Sequence, residues 1–200
     1  MIDPATITNY GLSDPELEKC ILFWVCAAGK NGTTAARCLE KLLSAITFNQ
    51  QSPFQIIRLV LSTKEPEPLP DLMKWAGIGC YNHKARTFEE LVHSKLNLRT
   101  CTPDDLEKIY GIGMKTSRCF ILHSRRNAQV AGLDTHMLKY LTNLGISRVP
   151  KSTPGSKKLY KYLENEVLKL AREKGMTPAE FDLFVWNQYK IKSEPQGLDK

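Results

Sequence analysis

The 200-residue chain reads as an all-α protein. Three observations predict this. Apolar residues recur at helical spacing along the whole length, period-two alternation of the kind that marks half-buried strands does not appear, and the sharpest local signals are helix starts.

Taken in order, Asp14-Pro15-Glu16 opens a first helix with Leu17, Ile21, Trp24, Val25 and Ala28 on one face. The stretch TTAARCLEKLLSAI continues the pattern through Ala35, Leu39, Leu42 and Ile46. Pro53 opens another segment, and Ser62–Pro70, with its three prolines, is expected as a surface loop. In CTPDDLEKIYG, Thr102 suits the N-cap, Pro103 the first helical position, and Asp105 completes a capping box. Thr177, Pro178 and Glu180 repeat that arrangement. Between them, Leu159, Leu163, Val167 and Leu170 form an expected core stripe. No whole-domain repeat is evident.

Composition narrows the function. A formal net charge of +7 points to a polyanionic partner, most simply nucleic acid. The longest apolar run, Cys20–Ala28, is too short to span a bilayer, and MIDPATITNY lacks the basic and apolar regions of a secretory signal. No membrane partner is expected, and the expected location is cytoplasmic or nucleoid, or nuclear in a eukaryote. The six cysteines include no C-x-x-C pair, and the four histidines form no H-E-x-x-H motif, so no metal held by side chains is expected.

The stretch YGIGMKTSRCF carries the chemistry. A helix approaches Ile109, the chain turns at Gly111-Ile112-Gly113, and a second helix leaves through Lys115–Leu122. Glycines let another backbone approach the turn closely, and the exiting helix aims its free N–H groups and positive dipole end at whatever sits there. A nucleic-acid phosphate fits. A Walker loop is excluded because Met114 follows Gly113, and AGKNGTT fails because Asn31 stands where a hydroxyl is required. A dinucleotide fingerprint would need a preceding strand, whereas PDDLEKIY reads as helix.

Lys115, Arg118 and Arg125 share helical spacing and could form a basic stripe, although a plain solvated face explains the two arginines equally well. Lys115 stands in the first turn, where the dipole and Arg118 both disfavour a cation. A neutral lysine amine there is available for covalent catalysis. A second glycine turn, GIGCYNHKA, brings Gly77, Gly79 and Lys84 as further candidates for DNA contact, and a plain interhelical turn explains them equally well. Asp134 directly precedes an apolar helical pattern through Leu138 and Leu141, which reads first as an N-cap. Trp24, Phe184 and Trp186 could stack on a base, but core packing is the better expectation for each.

Together, IYGIGMKTSRCFIL followed by QVAGLDTHMLKYL resembles the helix–hairpin–helix plus Gly/Pro-Asp signature (HhH-GPD) of the endonuclease III and oxoguanine DNA glycosylase superfamily. The resemblance covers roughly Leu17 to Leu144, with a looser match at FDLFVWNQYK. It implies a bilobal helical fold with DNA in a cleft between the lobes. Residues 14–128 would carry the hairpin, and 1–13 with 129–200 would form the second lobe.

By match to the motif, Lys115 would be the Schiff-base nucleophile and Asp134 the essential carboxylate. Gly111, Gly113, Arg118, Lys84, Lys30 and Asn31 would meet double-stranded DNA containing a damaged base, with Lys30 and Asn31 candidates for the space that the base vacates, although a plain solvent loop is the better expectation for those two. Backbone carbonyls near Gly111 and Gly113 would suit a monovalent cation. Relatives of endonuclease III often place four C-terminal cysteines around an iron–sulfur cluster. Here no cysteine follows Cys119, so neither that cluster nor another cofactor is expected. The implied activity is base-excision glycosylase plus AP lyase, acting as a monomer, with 8-oxoguanine favoured. Oxidised pyrimidines, mismatched thymine or uracil, a hydrolytic glycosylase without lyase activity, and a non-catalytic DNA-gripping module are the alternatives.

Overall fold

A computed structural model of the chain describes residues 1–45, 51–63 and 68–193. Among these the regular structure is helical, as expected. The residues fall into two compact units, Met1–Arg125 and Arg126–Lys200.

The first unit is built around α1 (Asp14–Ala27). Its start follows from a capping box: the Ser13 N–H and hydroxyl both donate to Glu16 Oε2 at 2.7 Å. Eight of its residues are buried, on more than one face, because α2 (Gly32–Ser44), α3 (Pro53–Leu61), α5 (Tyr81–His93) and α7 (Met114–Ser124) all touch it. Ala28 lies outside this core, exposed at the helix's end, and the expected core residue Ile46 lies outside the described residues. α4 (Pro68–Ala76) begins inside the segment expected to be a loop. Prolines at 68 and 70 are tolerated there because first-turn N–H groups have no intrahelical partner to lose. Residues 64–67 of that segment lie outside the described ones.

The short helix α6 (Pro103–Leu106) has the expected box: Thr102 N donates to Asp105 Oδ2 at 3.0 Å, and Asp105 N to Thr102 Oγ1 at 3.2 Å. Residues 1–13, grouped above with 129–200, belong instead to the first unit. Asn9 N donates to the His123 carbonyl at 2.9 Å, and Thr8 Oγ1 lies 2.7 Å from His123 Nδ1, which ties this segment to the end of α7.

The second unit contains α8 (Thr135–Asn143), α9 (Lys157–Glu173) and α10 (Pro178–Ser193). The predicted Thr177–Glu180 box forms at the start of α10, and Leu138 and Leu141 are buried as expected. The core stripe of α9 is shifted by one residue. It runs through Tyr160, Leu163, Glu164, Val167, Leu168 and Ala171, and leaves Leu159 and Leu170 only half-buried. Among the described residues no helix is long and apolar enough to cross a membrane.

Candidate functional site

The hairpin turns at Gly111, whose φ of +78° is a left-handed conformation that side chains rarely adopt. A β-carbon there would lie 2.3 Å from Thr87 Oγ1 and 2.8 Å from His83 Cε1. The turn is therefore pressed directly against α5. One turn further along α5, Glu90 Oε2 accepts a 2.8 Å hydrogen bond from Tyr110 N, and Arg86 stacks 3.9 Å from the Tyr110 ring. His83, Thr87 and Glu90 follow helical spacing, so one face of α5 holds the turn.

Gly113 is a different kind of glycine. It caps α7 with φ −95°, offers no side-chain bond to the first-turn N–H groups, and is exposed with open space where a β-carbon would stand. The two glycines divide the labour: one admits α5, the other leaves the dipole end of α7 accessible.

Lys115 is half-buried in that first turn, with Nζ 5.7 Å from the centroid of the Trp24 ring on α1. That ring stacks on the fully buried His123 imidazole at 5.5 Å. Trp24 is half-buried and not wholly in the core, as are Phe184 and Trp186. One face of the lysine's surroundings is thus aromatic and partly dry.

The other expected cations behave differently. Arg118 does not extend a basic stripe: its guanidinium pairs with Glu107 at 2.5 Å, both groups being nearly buried, and donates to Met114 O at 3.1 Å. The pair braces the hairpin from within and offsets the charge that was expected to disfavour an ammonium on Lys115. Arg125 likewise turns inward, donating to Leu98 O at 3.1 Å.

Lys84, expected on DNA, is 5% exposed and donates to Cys26 O at 2.9 Å and Ala28 O at 3.1 Å. Those carbonyls end α1, where a cation meets the negative end of the helix dipole. Burial nevertheless holds this lysine's pKa below the ordinary range. Lys30 donates to the Gly77 carbonyl at the end of α4, and Asn31 caps α2 by accepting from Thr34 N at 3.2 Å. All three polar groups serve helix ends, a use that the basic composition disguised.

Asp134 lies in the second unit and caps α8, accepting from Met137 N at 2.8 Å. Sequence spacing identified the cap but missed what supports it. Tyr160 and Glu164, buried on α9, bond the backbone of Ala131 and Leu133 just ahead of it. Both lie in phase with Leu163 and Val167, and that phase was the available signal. Among the described residues no group of three or more His, Cys, Asp or Glu side chains could hold a metal ion.

No family model matches the chain. An 8-oxoguanine DNA glycosylase/AP lyase of Thermotoga sp. strain RQ2 is 38% identical over 85 residues. That stretch is 42% of this chain and 39% of the relative, so the match spans well under half of the relative's length. The crystal structure of the 8-oxoguanine DNA glycosylase of Thermotoga maritima superposes with a TM-score of 0.68 at 25% identity, covering 94% of this chain and 84% of the other. A Methanocaldococcus jannaschii 8-oxoguanine glycosylase/lyase in complex with a 15mer DNA containing 8-oxoguanine gives 0.69 at 21% identity, covering 92% and 86%.

The helical architecture, glycine hairpin and capped aspartate accompany a fold similar to that of the 8-oxoguanine DNA glycosylase of Thermotoga maritima. Over part of its length the sequence likeness runs to the 8-oxoguanine DNA glycosylase/AP lyases.

Proposed function

We propose that the protein is a base-excision DNA glycosylase with AP lyase activity that removes an oxidised base, 8-oxoguanine foremost, from double-stranded DNA. The observation that carries the reading is Lys115, half-buried against Trp24 in the glycine-capped first turn of α7, on a chain whose fold is that of 8-oxoguanine glycosylases. It is supported by an aspartate at the start of α8, in the position the resemblance requires. The hairpin grips the strand through its backbone at Gly113, and a hard monovalent cation on neighbouring carbonyls suits that task. No iron–sulfur cluster takes part.

The chemistry follows in order. The damaged base leaves the stack, at a cost of a few kcal/mol. The C1′–N bond breaks with its electrons going to the base, and ionised Asp134 stabilises the positive charge that develops on the sugar. The Lys115 amine, once it has given up its proton, forms a bond to C1′ and, after further proton loss and ring opening, an imine. The imine acidifies the C2′ hydrogen; its removal drives cleavage of the C3′–O bond, and the 3′ phosphate departs.

Borohydride reduction tests this. Wild-type protein incubated with an 8-oxoguanine duplex and borohydride should become covalently attached to DNA, and Lys115→Gln should not. If both remain free while still binding the duplex, the protein is a DNA-gripping module and the proposal fails. Parallel duplexes bearing oxidised pyrimidines, uracil or a G:T mismatch test the choice of base.

A further inference from the structure

The backbone that delivers Asp134 is irregular, and two buried polar side chains hold it. Glu164 Oε1 accepts from Ala131 N at 3.1 Å. The Tyr160 hydroxyl donates to Ala131 O at 2.9 Å and accepts from Leu133 N at 3.0 Å. Thr153 Oγ1 donates to Leu133 O at 3.1 Å, and Asp134 N closes a tight turn onto Gly132 O at 3.0 Å. Donors and acceptors on both sides of Gly132 are thereby fixed immediately before the aspartate.

These contacts come from expensive positions. Tyr160 is fully buried and Glu164 is 1% exposed, in the middle of the α9 stripe between Leu163, Val167 and Leu168. A buried carboxylate is costly unless paired, and the contacts of Glu164 include Lys161 Nζ at 3.0 Å from Oε2. Phe and Leu would fill the same volume without that cost. What Phe and Leu cannot do is bond a non-helical segment at defined points. A helix N-cap fixes its carboxylate relative to its own helix, and the preceding backbone fixes where that helix begins.

The geometry points to Tyr160 and Glu164 as positioning residues that set the aim of the Asp134 carboxylate. This rests on the reading of Asp134 as the carboxylate that faces the reacting sugar. Both side chains are buried, and each acts through the Ala131–Leu133 backbone. Tyr160 carries two of the bonds with one hydroxyl, and Glu164 needs only an acceptor at Oε1.

The test uses the full chain and an 8-oxoguanine duplex. Single-turnover excision is measured at saturating protein, together with affinity for a duplex bearing an uncleavable abasic-site analogue, and a thermal melt. Tyr160→Phe should slow excision by on the order of tenfold or more, while affinity for the analogue stays at the wild-type level. Glu164→Gln retains an acceptor and should excise close to the wild-type rate, whereas Glu164→Leu should be slow. That rescue separates positioning from bulk stability, and it carries the test if Tyr160→Phe fails to fold. Wild-type excision by both Tyr160→Phe and Glu164→Leu, with Asp134→Asn inactive, would overturn the positioning role alone. An Asp134→Asn variant that excises normally would remove the reading of Asp134, and this inference with it.

Discussion

Replacing each hairpin glycine with alanine should separate fold from function. At Gly111 the new methyl group would stand 2.3 Å from Thr87 Oγ1 and 2.8 Å from His83 Cε1, in a backbone conformation of φ +78°. The left-handed conformation alone costs about 1–2 kcal/mol. Relieving the clash means lifting the turn from α5, which weakens the Glu90–Tyr110 N bond, a charge-assisted contact worth about 1.5–3 kcal/mol. Gly111→Ala should therefore lose about 3–5 kcal/mol in urea unfolding. Adding Thr87→Ala removes the nearer obstacle and should restore part of the loss, a coupling that a double-mutant cycle reads directly. At Gly113 nothing lies within 4 Å and φ is ordinary, so alanine should cost only the few tenths to about 1 kcal/mol by which alanine caps less well than glycine. Its methyl group, however, occupies the space through which a phosphate would approach, so Gly113→Ala should weaken DNA binding while the protein stays folded. Equal losses of stability at the two positions, or a Gly113→Ala variant that binds DNA like wild type, would refute this division.

Two further outcomes follow from the buried and capping charges. Lys84→Met should cost about 1–2 kcal/mol by orphaning the Cys26 carbonyl, and the salt slope of DNA binding should stay at its wild-type value. Loss of a true phosphate contact would lower that slope by about 1. The capping carboxylates Glu16, Asp105 and Glu180 all have pKa values below their ordinary ones because they accept bonds from Ser13, Thr102 and Thr177. A depressed folded pKa means stability that is present above the unfolded value and lost as pH falls through the folded one. The combined Glu16→Gln, Asp105→Asn, Glu180→Gln variant should show a flatter loss of stability than wild type between about pH 5 and pH 3; parallel curves would exclude the caps as the cause.

The features legible in the sequence are those whose partners lie within one helical turn. Thr102 with Asp105, Thr177 with Glu180, and Asp134 with the N–H of Met137 close their bonds locally, so spacing identifies them. The direction of a long cation is not local. Lys84, Arg118 and Lys30 looked like a DNA-facing set by charge and by nearness to glycines, yet each is claimed by a carbonyl or carboxylate from elsewhere in the chain.

Phase along the helix separates these buried charges from solvated ones. Lys84 stands in register with Thr87, Phe88 and Leu91 on the buried face of α5, and Glu164 stands in register with Tyr160, Leu163 and Val167 on that of α9. An ionisable residue that keeps step with an apolar stripe enters the core with its charge, and the core must contain backbone groups that need it. In α5 those groups are the last carbonyls of α1; in α9 the group is the N–H of Ala131, three residues before the aspartate proposed to act on the sugar. The two residues that violate the hydrophobic pattern most plainly mark where irregular backbone is held, and in the second unit that backbone leads directly into Asp134.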